Sequence, residues 1–173
     1  MEPTKSFDLV KQSIAQNGDA LFTCFTKVTH HCSKKNSRPI FRSRATGRPF
    51  IGKGQNLKSA EANLINAFRM AMMRQKGFKP IDGPIWAVFL FYFPMAEFFT
   101  KKGEISGRLP DQSNLYELVQ DTLETAGVIK NDKLIHSHDL SRRLPGPDWG
   151  LEVFLFRHTL DINRSPKLSL VKP

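Results

Sequence analysis

IWAVFLFYF, residues 85–93, is an unbroken run of nine apolar residues set between KPIDGP (79–84) and Pro94. It is far too short to cross a bilayer. Bounded by turn formers and rich in aromatic and β-branched residues, it reads as a central strand buried on both faces. Such a strand needs cover, and the flanking sequence supplies it. Upstream, residues 56–75 place Leu57, Ala60, Leu64, Ala67, Phe68, Ala71 and Met72 at helical spacing, with Asn56 as the expected N-cap and Gly77 as the stop. Downstream, a second helix is expected over about 114–126, with Leu115, Leu118, Val119 and Leu123 on its apolar face and Gly127 just past its end.

Further out lie the remaining strands. LFTCFTKVTH (21–30) alternates apolar and polar residues, the mark of a half-buried strand. PIFRS and RPFIG, on either side of an ATG turn, predict a short basic hairpin. KLIHSHDLSRR (133–143) and GLEVFLFRH (150–158) read as two strands joined by LPGPDW. The expected class is α+β: a two-layer sandwich with a mixed sheet and helices on one face. One domain spans residues 1–158, and residues 159–173, which lose periodicity, are expected to trail as a flexible tail.

Charge narrows the choice of partners. With 26 Lys and Arg against 16 Asp and Glu, the chain carries a formal net charge of +10, which favours a polyanion such as nucleic acid. No Lys/Arg-rich amphipathic helix points to a membrane, and no apolar N-terminal segment points to secretion, so a reducing cytosol is expected. The basic residues are grouped. Lys34, Lys35, Arg38, Arg42, Arg44, Arg48 and Lys53 lie within 31–54 without one acidic residue, and Lys101, Lys102 and Arg108 lie in the long connection 94–112. A connection of that length is usually functional or mobile; its Phe98 and Phe99 could stack on unpaired bases, or pack onto their own domain or a second subunit. Cys24, His30, His31 and Cys32 fit no common zinc spacing, and GKGQN lacks the spacing of a phosphate-binding loop. His136 and His138 fall on one face of their strand and read first as a half-exposed pair, and second as a source of one proton-transfer group near the acidic segment described next.

Against this basic background, PDQSN (110–114) and the residues to Asp132 collect Asp111, Glu117, Asp121 and Asp132. Two readings compete. Asn114 and Glu117 match a capping box, in which case the carboxylates are a solvated helix face and its cap. Alternatively, carboxylates beside basic loops can hold Mg²⁺ against a phosphate. Glu117 and Asp121, four apart, lie side by side and repel unless a cation is near.

PDQSNLYELVQDTLETAGVIKNDKLI (110–135) resembles the signature of the RusA-type Holliday-junction resolvases, roughly P-D-x-D-N-L-x-K, then D-A-L, a Gly-containing turn and D-D-x-x-V/I. SKKNSRPIF, TGRPFIG and a strand ending FYFP resemble the family's opening, so the likeness covers about residues 22–158. The resemblance implies a homodimeric, Mg²⁺-dependent endonuclease, with Mn²⁺ as a substitute, that cleaves four-way and other branched DNA. It implies that Asp111, Asp121 and Asp132 are catalytic and bind metal, and that Ser113 and Glu117 complete the metal shell. The basic residues of 34–48 and 101–108 would then hold DNA phosphates. Three positions depart from the family: Ser113 replaces a metal-binding Asp, Asn131 the first Asp of the pair, and Glu117 a Lys. The competing reading is a branched-DNA-binding protein on the same fold with a weakened or inactive site; a third is a basic structural protein whose acidic segment is only a capped helix.

Overall fold

The computed structural model describes residues 19–31, 40–51 and 54–158. Its elements are β1 (Phe22–Lys27), β2 (Ile40–Arg42), β3 (Pro49–Ile51), α1 (Gln55–Arg74), β4 (Ile85–Pro94), the four-residue α2 (Met95–Phe98), α3 (Gln112–Ala126), a 3₁₀ turn (Asp132–Leu134), β5 (Ile135–Ser137), β6 (Arg142–Gly146) and β7 (Gly150–Arg157). The apolar run at 85–93 is the middle of a five-stranded mixed sheet. β7 pairs antiparallel with β4 on one side and with β1 on its own far side, while β5 and β6 both pair parallel with the other edge of β4. β2 and β3 form the expected hairpin as a separate two-stranded sheet.

β4 is apolar on both faces for a reason visible in its neighbours. Ile85, Ala87, Phe89, Phe91 and Phe93 share one cluster with Leu57, Leu64 and Phe68 of α1 and Leu115, Leu118, Val119 and Leu123 of α3. Val88, Leu90 and Tyr92 point the other way, into a smaller cluster with Leu144 and Phe156. A fully buried Phe contributes roughly 1.5–3 kcal/mol, so the Phe ladder on the helix side is the main anchor of both helices. Because β5 runs parallel to β4, the chain must cross over between them, and α3 is that crossover.

Four sequence expectations are corrected. α1 has Gly54, not Asn56, at its N-cap, without a side-chain cap. α3 begins at Gln112 with Asp111 as N-cap, so Asn114 lies inside the helix and no capping box forms there. Residues 133–143 are not one strand: β5 ends at Ser137, the chain turns through Leu140 at φ 67°, and β6 begins at Arg142. In the gap between them Ser141 Oγ accepts from Phe89 N at 2.9 Å, meeting a donor that neither strand reaches. Finally, the connection after β4 is not a structureless loop: it holds α2 and a Phe99–Ile105 bridge, and of the readings open for Phe98 packing onto its own domain holds, since it is buried in the main cluster. Lys34, Lys35, Arg38 and Lys53, Cys32 and the segment from Thr159 onward lie outside the described residues.

Candidate functional site

Asp111 sits where the connection from the carboxyl end of β4 enters α3, a common ligand position in sheets with crossover helices. Its carbonyl accepts the first helical bonds, from Asn114 N (3.1 Å) and Leu115 N (3.3 Å). Its carboxylate makes no cap; it is exposed, with Asn114 Nδ2 at 3.5 Å from Oδ2. The backbone on both sides is held to the β5–β6 region. Arg143 Nη1 donates to the Pro110 carbonyl at 3.0 Å, and Gln112 Nε2 donates to the Ser141 carbonyl at 2.7 Å and to the Tyr116 hydroxyl. A carboxylate on a frame fixed at its two neighbours loses little entropy when it meets a ligand.

Behind this frame is a polar layer. Tyr116 stacks on His138 with ring centroids 4.5 Å apart, and Gln120 Nε2 lies 2.8 Å from His138 Nε2. With the Gln120 amide donating, His138 Nε2 is the acceptor and the ring proton sits on Nδ1, which is buried and unpartnered among the described residues. Burial pushes the His138 pKa down, and pushes that of Tyr116 up against the lowering pull of its hydrogen bonds and of Arg142 and Arg143. Both side chains are therefore neutral at pH 7. His136, by contrast, is exposed. The expectation that the two histidines act as a half-exposed pair is thus corrected by the turn at 138–141.

The other carboxylates are elsewhere. Ser113 is exposed on the first turn of α3, and Glu117 and Asp121 are half-buried further along it. Asp132 opens the 3₁₀ turn, and its N–H donates to Glu124 Oε2 at 3.2 Å. Glu124 lies 13 residues beyond Asp111, so the helical rise puts the two sites roughly 20 Å apart along the axis. The sheet gives the same answer: Gln112 is tied to Ser141 beside Phe89, whereas Asp132 precedes Ile135, which pairs with Ile85 at the start of β4. Asp111 and Asp132 therefore mark opposite ends of α3. Among the described residues no group of three or more His, Cys, Asp or Glu side chains is placed to share a metal ion. The metal that the family resemblance implies does not fit the carboxylates of one chain as they stand.

Arg42, Arg44 and Arg48 are exposed on the β2–β3 hairpin, and Lys101, Lys102 and Arg108 on the connection that leads into Asp111. Cys24 is buried, and burial pushes its thiol up to about 11. Sequence reasoning passed over Glu124, Arg143 and Gln112. The first is an ordinary helix residue until the 3₁₀ turn folds back on it, and the other two reach the Ser141 and Pro110 carbonyls, 29 and 33 residues away.

A protein-family model described as endodeoxyribonuclease RusA matches residues 32–153, from ahead of the hairpin through the first half of β7. The chain belongs to the RusA family. Among curated proteins no sequence matches it. Both ends of α3 fall within the RusA match, as do the hairpin and the connection carrying Lys101, Lys102 and Arg108. RusA proteins are endodeoxyribonucleases. No helix among the described residues is long and apolar enough to cross a membrane.

Proposed function

We propose that this chain is a structure-selective endonuclease that cleaves four-way and other branched DNA by metal-dependent phosphodiester hydrolysis, working as a homodimer. The observation that carries the reading is Asp111 in a RusA-family chain: an exposed carboxylate, braced on both sides by Arg143 and Gln112, at the end of a connection bearing Lys101, Lys102 and Arg108. Mg²⁺, or Mn²⁺ in its place, supplies activation of water and neutralisation of phosphate charge. Asp111, Asp121 and Asp132, with Ser113 and Glu117, are the groups proposed to hold it. The separation of Asp111 from Asp132 supports a site completed across the dimer axis, where Asp111 of one subunit lies near Asp132 of the partner subunit. A two-fold dimer also presents two equivalent sites to a four-way junction. Arg42, Arg44, Arg48, Lys101, Lys102 and Arg108, together with Lys34, Lys35 and Arg38, contact phosphates without reading bases.

The deciding experiment is cleavage of a labelled four-way junction with and without Mg²⁺. Asp111→Asn should bind the junction as wild type does and nick it at least about 100-fold more slowly, since loss of a metal-directed carboxylate removes several kcal/mol from the transition state. Ser113, in place of a family Asp, favours the second reading, a junction-binding protein without cleavage. Wild-type binding with no nicking in either metal would establish that reading instead.

A further inference from the structure

The end of the sheet remote from Asp111 carries a cationic cavity of about 290 Å³. α1 ends at Arg74, the chain turns through Gly77 at φ 73°, and residues 76–84 run along the base of the sheet. Four chain segments are tied together here. Ile81 pairs with Ile129, through Ile81 N to Val128 O (2.9 Å) and Lys130 N to Ile81 O (3.1 Å). His158 N donates to Pro84 O at 2.9 Å, and Gln75 Nε2 to Leu21 O at 3.1 Å. On this braced frame Lys76, Lys79 and Arg157 line the cavity. Asp82, a carboxylate on the same wall, is already engaged by Lys130. None of Lys76, Lys79 and Arg157 has a carboxylate partner among the described residues.

The end of α1 accounts for only one of these charges. A Lys just past a helix C-terminus meets the negative end of the macrodipole, which suits Lys76. Lys79 and Arg157 come from the loop and from the end of β7, and gain nothing from that helix. Because Lys76, Lys79 and Arg157 line one cavity, an anion in it would be attracted to all three. The same frame carries Asp132, because Ile129 and Lys130 pair with Ile81 two residues before it, and Lys133 follows it.

We infer that this cavity is a phosphate-binding site for the DNA backbone, distinct from the hairpin and the 101–108 connection, which holds a strand as it passes the Asp132 end of α3. It rests on the reading that branched DNA is the substrate. The test is binding of a labelled four-way junction, without divalent metal, across a range of salt concentrations. Each phosphate contact contributes about 0.9 to the slope of log affinity against log salt. Lys76→Ala/Lys79→Ala/Arg157→Ala should therefore flatten the slope by roughly 2–3 and weaken binding at low salt at least tenfold, with an unchanged melting temperature. Lys76→Arg/Lys79→Arg/Arg157→Lys should keep both, and Lys58→Ala/Arg69→Ala, on the exposed flank of α1, should alter neither. Wild-type slope and affinity in the triple alanine variant would overturn the site. So would an equal loss per charge from the α1 variant, which would show a diffuse field in place of a binding point. Failure of the wild-type chain to bind any junction would remove the substrate reading itself, and this site with it.

Discussion

His31 sits among Phe91, Phe93 and Trp149, with ring centroids 4.7–5.4 Å away, and its Nε2 donates to the Tyr92 carbonyl at 2.9 Å. Burial is the main cause that brings its pKa down to about 4, only partly opposed by backbone hydrogen bonds. The sign follows directly. Above pH 6.5 the ring is neutral in both folded and unfolded chains, so it adds no pH dependence. Between pH 6.5 and 4 the unfolded chain takes up a proton that the folded chain refuses, and stability falls as pH falls. The full loss is about 3 kcal/mol, taken from the width of that window. Thermal unfolding followed from pH 7 to 4 should show this loss, and His31→Phe should flatten the profile over the same range. A profile as steep in His31→Phe as in wild type would assign the loss to other groups. Nothing in the local sequence announces this role: HH at 30–31 reads as a polar pair, and only the fold puts one ring among aromatics.

Local pattern was enough wherever an element is held by its own periodicity. The apolar faces of α1 and α3, the continuous run of β4 and the hairpin turn all lie where spacing and turn residues place them. It failed where a distant group decides. α3 starts two residues early because Gln112 is drawn to the Ser141 carbonyl and the Tyr116 hydroxyl, a contact that Asn114, the better cap on paper, cannot offset. Residues 133–143 look like one strand, yet the pairing breaks, because Ser141 Oγ replaces a strand partner for Phe89 N and the chain turns at Leu140 to do it. Ser141 is 1% exposed, so Ser141→Ala leaves the Phe89 N–H buried without an acceptor. That costs about 1–3 kcal/mol. Melting should drop by several degrees, and the Phe89 amide should exchange faster with solvent while amides of β1–β7 pairing do not. An unchanged melting temperature would mean that the gap between β5 and β6 is bridged without the hydroxyl.

At the scale of the molecule, the family resemblance reads Asp111 and Asp132 as members of one site, and their placement at the two ends of a 15-residue helix sets them apart. The separation is already implicit in the sequence. Of the 20 residues between the two aspartates, 15 are helical and rise about 1.5 Å each, so only a reversal of the chain all along α3 could return Asp132 to Asp111. The chain does reverse, but Asp132 comes first in the returning segment, and Ser141 is the residue that reaches Gln112. A site that needs both aspartates must therefore draw them from two chains, and mixing tests this directly. Asp111→Asn and Asp132→Asn should each be inactive alone. Co-expressed with different tags, they form mixed dimers in which one composite site carries both substitutions and the other carries neither. With random pairing about a quarter of all sites are then intact, and each mixed dimer has at most one. Purified mixed dimers should regain Mg²⁺-dependent nicking of one strand, without the paired cuts expected of wild type. If each site lay within a single chain, every site in the mixture would contain an Asn and no activity would return. That result would sink the shared site while leaving Asp111→Asn as an independent measure of the nuclease itself.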